Sequence, residues 1–227
     1  MVLGERLSAV ASFVKNGAKV ADIGTDHAKI PIYLVKNNKI SFAVASDKNE
    51  GPLTFAKKNI SRFGLEKNIK IVLGNGLESL KVGEVDTIII AGMGDKLITE
   101  ILSNSPQILT KISHLILQPM NEGNILREWL QKNNWKIENE ILAKEDNKIY
   151  EIISVVQGKM KELNSVELLL GPIILNNKND ILKERLNNII GKTKRKILGM
   201  EKSNNKINSQ NYFYEQNKLK LLEELLW

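Results

Sequence analysis

The chain has 227 residues, 42% of them hydrophobic, which is enough to pack one α/β domain with an appendage but short of two full-size domains. The absence of cysteine excludes disulfides, thiolate nucleophiles and cysteine metal sites, and the two histidines, His27 and His114, lack the helical spacing of a zinc pair, so no metal is expected. A formal charge of +7 favours an anionic partner; with no signal-type amino terminus and no apolar run of the roughly 18 to 20 residues that span a membrane, a soluble, cytoplasmic protein is expected.

Leu3, Leu7, Val10, Ala11 and Val14 recur at helical spacing over residues 3–16, which predicts an amphipathic helix ended by Asn16-Gly17. Residues 19–24 are the first strand. Its apolar run turns at Gly24 straight into a helix over 28–35, and the corner carries Asp22, Asp26 and His27. Such strand-to-helix corners are where α/β proteins hold nucleotides, and a glycine there lets backbone approach the ligand. Pro31 is tolerated in the first helical turn, where N–H groups lack acceptors.

The second strand, 41–47, ends in Asp47, 23 positions beyond Gly24. In a doubly wound sheet that end lies beside the first, so Asp47 can accept from both ribose hydroxyls of an adenosine-containing ligand; the same carboxylate can instead cap the helix over 49–62. A third strand, 69–74, leads to Asn75-Gly76, which either borders an adenine edge or makes a plain turn. The β-branched run 86–91 is a buried central strand ending in Gly92-Met93-Gly94, before a helix over 95–102; two glycines around a methionine allow packing on a flat ring or form a structural turn.

A fifth strand, 113–117, ends in Gln118-Pro119-Met120-Asn121, and a helix with Ile125, Leu126, Trp129 and Leu130 on one face follows. Two alternating runs around Asp146-Asn147 predict an antiparallel edge hairpin. Five βα units and a hairpin specify a doubly wound, seven-stranded α/β sheet with an antiparallel edge.

After about Gln157 the pattern changes. Residues 159–227 hold almost no β pattern beyond Pro172-Ile173-Ile174-Leu175, and two long helical patterns flank the Asn-rich S-N-N-K-I-N-S-Q-N. The first carries Leu182, Leu186, Ile189, Ile190, Thr193, Ile197 and Leu198, the second Tyr212, Leu219, Leu222, Leu225 and Leu226, which predicts the seam of an antiparallel two-stranded coiled coil. Residues 1–158 hold 20 Lys+Arg against 18 Asp+Glu, and 159–227 hold 13 against 8, so the appendage carries most of the positive excess. Its densest cluster, Lys192, Lys194, Arg195 and Lys196, is either a phosphate-contacting surface or a solvated helix face.

The ordered set A-D-I-G-T-D-H-A-K, D-K-N-E-G-P-L, G-N-G-L, I-I-A-G-M-G, L-I-L-Q-P and R-E-W-L with Y-E-I-I resembles that of the bacterial tRNA adenine-N1 methyltransferases that modify position 22. The likeness spans residues 1 to about 157, and the tail is similar to that family's helical carboxyl-terminal domain. It implies a class I, Rossmann-like enzyme that uses S-adenosyl-L-methionine and acts on the D-arm of tRNA, with residues 1–158 as the cofactor-binding domain and 159–227 as a coiled-coil tRNA-binding domain. By position it places Gly24, Thr25, Asp26 and His27 along the methionine and ribose, Asp47 on the ribose hydroxyls with Lys48 beside it, Asn75 and Gly76 at the adenine, and Gly92, Met93 and Gly94 between cofactor and target base. The chain departs from the family pattern where Asn75 replaces an acid, Asp95 a second glycine, and Met120 the asparagine after Q-P.

Adenine N1 has an available lone pair, so no strong general base is required; the protein's tasks are to align N1 with the methyl group and to balance positive charge on the product. Asp26 is the leading catalytic candidate, with a hydrogen bond to the cofactor's amino group as its alternative, and the target adenine is expected to leave its stack. Two other functions share the fold. A nicotinamide-dependent dehydrogenase is disfavoured because Gly24-Thr25-Asp26 sets an acid where a diphosphate needs N–H groups. A non-catalytic RNA-binding module is disfavoured by the polar residues at four successive strand ends. Nothing in the sequence points to a protein partner or a membrane.

Overall fold

The structure is a computed structural model and describes residues 1–202 and 209–227. Helix α1 (Glu5–Ser12) precedes β1 (Lys19–Ile23), and α2 (Lys29–Lys36), β2 (Phe42–Asp47), α3 (Glu50–Arg62) and β3 (Ile69–Leu73) complete the first half. The second half runs β4 (Thr87–Met93), α4 (Asp95–Ser103), the short α5 (Pro106–Leu109), β5 (His114–Pro119), α6 (Asn124–Lys132), β6 (Trp135–Glu145) and β7 (Lys148–Gln157). The strands form one sheet in the order β3-β2-β1-β4-β5-β7-β6, with β1 to β5 parallel and β7 antiparallel to both its neighbours.

Chain order reverses between β1 and β4, and in an open α/β sheet that reversal leaves a crevice at the strands' carboxyl ends. Ile88, Ile89 and Ile90 explain why β4 is central. All three are fully buried, and because side chains alternate across a strand, Ile88 and Ile90 pack in the layer holding Ile98 and Leu126 while Ile89 packs with Val10, Ile32 and Ile60 on the other face. The edge hairpin turns where expected: Asp146 and Asn147 have φ of 48° and 60°, the left-handed pair that a two-residue hairpin needs, and Glu145 pairs with Lys148.

The remainder is helical: α7 (Ser165–Leu170), α8 (Pro172–Asn176), α9 (Asp180–Glu201) and α10 (Gln210–Glu224). Pro172-Ile173-Ile174-Leu175 is not a strand but lies in α8. Proline presets the first helical φ, and Glu140 Oε2 accepts the Ile173 N–H at 3.0 Å, satisfying one of the donors a helix start leaves open. Leu182, Leu186, Ile189, Ile190, Thr193 and Ile197 of α9 are buried, as are Tyr212 and Leu222 of α10, with Leu219 packed alongside. Leu198 and Leu226 do not join this seam; they are 55% and 38% exposed, on the outer side of the pair. The Asn-rich stretch between the helices falls largely on residues 203–208, outside those described.

The helical arm is anchored to the sheet edge by buried charge. Arg127 of α6 reaches Glu140 of β6 at 2.8 Å and Glu151 of β7 at 2.9 Å, and Glu151 also receives Arg185 of α9 at 2.6 Å. Arg127 Nη1 further donates to the carbonyl of Leu168 in α7, so four elements meet at one guanidinium. Two carboxylates hold Arg127 charged and raise its pKa, although burial acts against the charge; Glu140's pKa is raised, because burial outweighs the Arg127 attraction.

Candidate active site

The corners beyond β1, β2, β3 and β4 are drawn together by backbone hydrogen bonds at the carboxyl edge. Gly24 N–H and Thr25 N–H both donate to Ser46 O, at 2.8 and 2.9 Å, and Gly74 N–H donates to Asp47 O at 3.0 Å. On the other side of the reversal, Met120 N–H donates to Met93 O at 2.8 Å. The two sides touch through Gly24, whose φ is +70° and whose missing Cβ leaves room for Met93 Cε; a Cβ there would overlap that methyl group.

Acidic side chains face the first two corners. Asp22 is buried at the end of β1 and accepts the Thr25 hydroxyl at 2.5 Å. Burial pushes its pKa up to about 6, the Thr25 hydrogen bond opposes that, and the negative charges of Asp26 and Asp47 raise it further. Asp26 is 55% exposed at its side chain and pairs with Lys29 at 2.6 Å. His27 and Ala28 hold φ of 57° and 55°, a conformation costly for residues with a Cβ, and the His27 ring stacks on Phe55 with centroids 4.8 Å apart. Asp47 Oδ1 accepts Asn49 N–H at 2.8 Å, which turns the chain into α3, while its second oxygen has no hydrogen-bond partner among the described residues. Lys48 is exposed, as is Asn75, which begins a 3-10 turn over Gly76–Ser79.

The Gly92-Met93-Gly94 segment continues β4 past the central run, and it is braced from a distance. Gln118, fully buried at the end of β5, accepts Gly92 N–H at 3.1 Å and Arg6 Nη1 at 2.8 Å on the same oxygen. Arg6 also lies over the Tyr150 ring at 5.4 Å. Sequence reasoning had no means of finding Arg6, because nothing in the pattern of α1 marks one arginine whose partner is 112 residues away. Gln118 was visible only as part of a motif.

Asp95 and Asn121, from just beyond the ends of β4 and β5, meet here. Asp95 is buried at the start of α4; its N–H donates to Asn121 Oδ1 at 2.8 Å, and Asn121 Nδ2 returns a hydrogen bond to Asp95 Oδ1 at 2.6 Å. The asparagine one place after Met120 thus clasps Asp95 at both its backbone and its side chain. Asp95, Asn121 and Met120 line a cavity of about 700 Å³ between the end of β5, the start of β7 and α9.

The basic cluster on α9 divides in two. Lys194 pairs with Glu223 at 2.7 Å and Lys196 with Glu215, both across to α10, whereas Lys192 and Arg195 line the cavity wall. Among the described residues no group of three or more histidine, aspartate or glutamate side chains is arranged to hold a metal ion, and no helix is long and apolar enough to cross a membrane.

The family model described as a methyltransferase domain matches residues 3–153. The chain is 39% identical over 188 residues to the tRNA (adenine(22)-N(1))-methyltransferase of Bacillus subtilis (strain 168), covering 81% of this chain and 79% of that relative. A Streptococcus pneumoniae protein solved in complex with S-adenosyl-L-methionine is similar over the full length of both chains, with a TM-score of 0.90 and 33% identity. The Mycoplasma capricolum TrmK structure in complex with S-adenosyl-homocysteine has a TM-score of 0.85 at 34% identity, covering 99% of this chain and 97% of that one.

Proposed function

Because the chain belongs to the family of bacterial tRNA (adenine(22)-N(1))-methyltransferases, we propose that it methylates N1 of adenine 22 in the D-arm of tRNA, using S-adenosyl-L-methionine. The observation that carries this is the convergence of four strand-end corners at the sheet's reversal, with Gly24 against Met93 and three carboxylates close by. That set of groups fits the cofactor. Asp22, Asp26 and Asp47 suit a ligand that carries a sulfonium and an ammonium, and they would repel the diphosphate of a dinucleotide.

When bound, the cofactor supplies an electrophilic methyl group, which passes to adenine N1 as the carbon–sulfur bond breaks. The chain's own residues supply placement and charge. Gly24, Thr25 and His27 line the methionine and ribose portion. The unpaired oxygen of Asp47, with Lys48 beside it, receives the ribose hydroxyls, and Asn75 and Gly76 border the adenine. Gly92, Met93 and Gly94 form the floor between cofactor and target base. Asp26 supplies negative charge at the mouth of this cradle, offsetting positive charge that moves onto the base. Residues 159–227 form the tRNA-binding part, where Lys192 and Arg195 face phosphates directly and Lys194 and Lys196 do so once released from their glutamates.

The test is to incubate the protein with unmodified tRNA and the methyl donor and to map the product by mass spectrometry. A methyl group on N1 of adenine 22 is the expected outcome, and a methyl group elsewhere, or none, refutes the assignment. Calorimetry gives the companion result: binding to S-adenosylmethionine, none to NAD. For Asp26, turnover lost in Asp26→Ala with cofactor affinity intact supports the role at the base, and joint loss assigns it to the cofactor instead.

A further inference from the structure

Two residues in the wall of the cavity between β5, β7 and α9 each carry a buried polar atom with no hydrogen-bond partner among the described residues. Asp95 is 1% exposed, and its Oδ2 has no hydrogen bond among the described residues, although Oδ1 is taken by Asn121 Nδ2 and Lys96 N–H. Arg185 is 8% exposed; its Nη2 holds Glu151 at 2.6 Å while its Nη1 has no hydrogen-bond partner among the described residues. Leaving a buried carboxylate oxygen or guanidinium N–H unpaired is costly, and a folded protein tolerates it where a ligand completes the set. Both residues line the same cavity of about 700 Å³, within the size range of small-molecule sites, and Lys192 and Arg195 stand on the Arg185 side of it.

We propose that this cavity receives the target adenosine once it has left its stack, with Asp95 Oδ2 accepting the adenine 6-amino group and Arg185 Nη1 holding the nucleotide's phosphate. The inference rests on the activity proposed above and adds the residues that read the substrate. The chemistry of the two ends matches the two orphaned atoms. An adenine edge offers an N–H donor where Asp95 has a spare acceptor, and a phosphate offers acceptors where Arg185 has a spare donor. Asp95 also begins the helix that follows Gly92-Met93-Gly94, which puts the recognised edge beside the reacting one. Methylation at N1 spreads positive charge onto the 6-amino group, so a carboxylate there stabilises the product-like state more than the starting base. Because Oδ2 and Nη1 are both screened from solvent, the nucleotide must displace part of the wall to reach them. Met120, unbranched and half exposed beside Asn121, is the side chain suited to move.

The test compares wild type, Asp95→Asn and Arg185→Lys on unmodified tRNA and on tRNA carrying purine, which lacks the 6-amino group, at the target position. In Asp95→Asn the Oδ1 contacts with Asn121 and Lys96 remain and only the orphaned oxygen becomes a donor; in Arg185→Lys the pair with Glu151 is retained and the second donor is lost. The expected results are a fall of about tenfold or more in kcat for Asp95→Asn and a rise of about tenfold in tRNA KM for Arg185→Lys, with S-adenosylmethionine affinity within twofold of wild type in both. Purine lowers the reactivity of N1 in both proteins, so it should slow Asp95→Asn as well as wild type, but wild type more, by about the factor that Asp95→Asn loses on adenine; this cycle is read on substrate chemistry and holds even if Arg185→Lys folds poorly. Wild-type methylation at adenine N1 with both variants within twofold of it, or losses that multiply in the purine cycle, overturns the inference alone. No methylation at adenine N1 by wild type removes the activity proposal and this inference together.

Discussion

Asp22 and Thr25 share a 2.5 Å hydrogen bond, the threonine hydroxyl donating to Oδ2, inside a corner that also feels the charges of Asp26 and Asp47. With its pKa pushed up to about 6 from 3.8, Asp22 binds a proton more tightly in the folded than in the unfolded chain. Its ionised form therefore costs stability above about pH 6, and the cost is relieved as pH falls from about 6 toward 3.8. Asp22→Asn, which keeps an acceptor for Thr25, should raise unfolding free energy at pH 8 by about 1 to 3 kcal/mol and flatten its dependence between those limits, as read by urea unfolding across pH. The same variant should bind the cationic cofactor more weakly, and wild-type affinity should decline as pH is lowered through 6. An unchanged pH profile in the variant would show that another group controls this range.

Gly24→Ala combines a strained φ with a methyl group pressed against Met93 Cε. It should cost about 1 kcal/mol or more of stability through the backbone alone. The larger effect should be on cofactor affinity, because relief requires Met93 to retreat into the space between the corners. Calorimetry beside a thermal melt separates the two; a tenfold or greater rise in cofactor Kd is expected.

Gln118→Leu leaves Gly92 N–H and the Arg6 guanidinium without their shared acceptor. The expected outcome is a fall in kcat of about tenfold with little change in cofactor Kd, since the corners beyond β1 and β2 are untouched. Arg6→Ala should reproduce part of the loss, and the double variant should show less than the product of the single effects if both act through the Gly92 segment. Fully multiplicative losses would place Arg6 in a separate role.

Arg127→Ala strips two buried carboxylates of their main counter-charge and leaves Arg185 as the remaining cation of the network. Breaking a buried charge set in this way typically costs about 3 to 5 kcal/mol, so a large fall in the urea midpoint is expected. Arg127→Met together with Glu140→Gln should recover much of that loss, because Glu151 keeps Arg185 as its counter-charge and the penalty comes from unpaired buried charge more than from lost attraction.

The strands along the chain, the glycine corners and the Asp146-Asn147 turn were legible in the sequence because each is written locally: β-branched runs make buried strands, and a turn is specified by two or three adjacent residues. Asp22 belonged to the same readable corner, but its raised pKa depends on a surrounding core that no local window contains. The helix at Pro172 was misjudged as an extended stretch since Ile-Ile-Leu favours a strand when isolated; Glu140, 33 residues earlier, supplies the acceptor at its start.

What the sequence by itself determined was therefore the architecture, through periodicity and turn residues, together with the polar residues set at its strand ends. Tertiary structure alone decided which charges are neutralised and which are free. The four basic residues of the 192–196 cluster on α9 divide into two pairs because only Lys194 and Lys196 point at glutamates of α10. Asp95 acquires Asn121, and Arg6 acquires Gln118, because strand pairing sets distant residues side by side. Hydrogen bonds and ion pairs act over a few ångströms, and nearness on that scale is created by folding rather than by position along the chain.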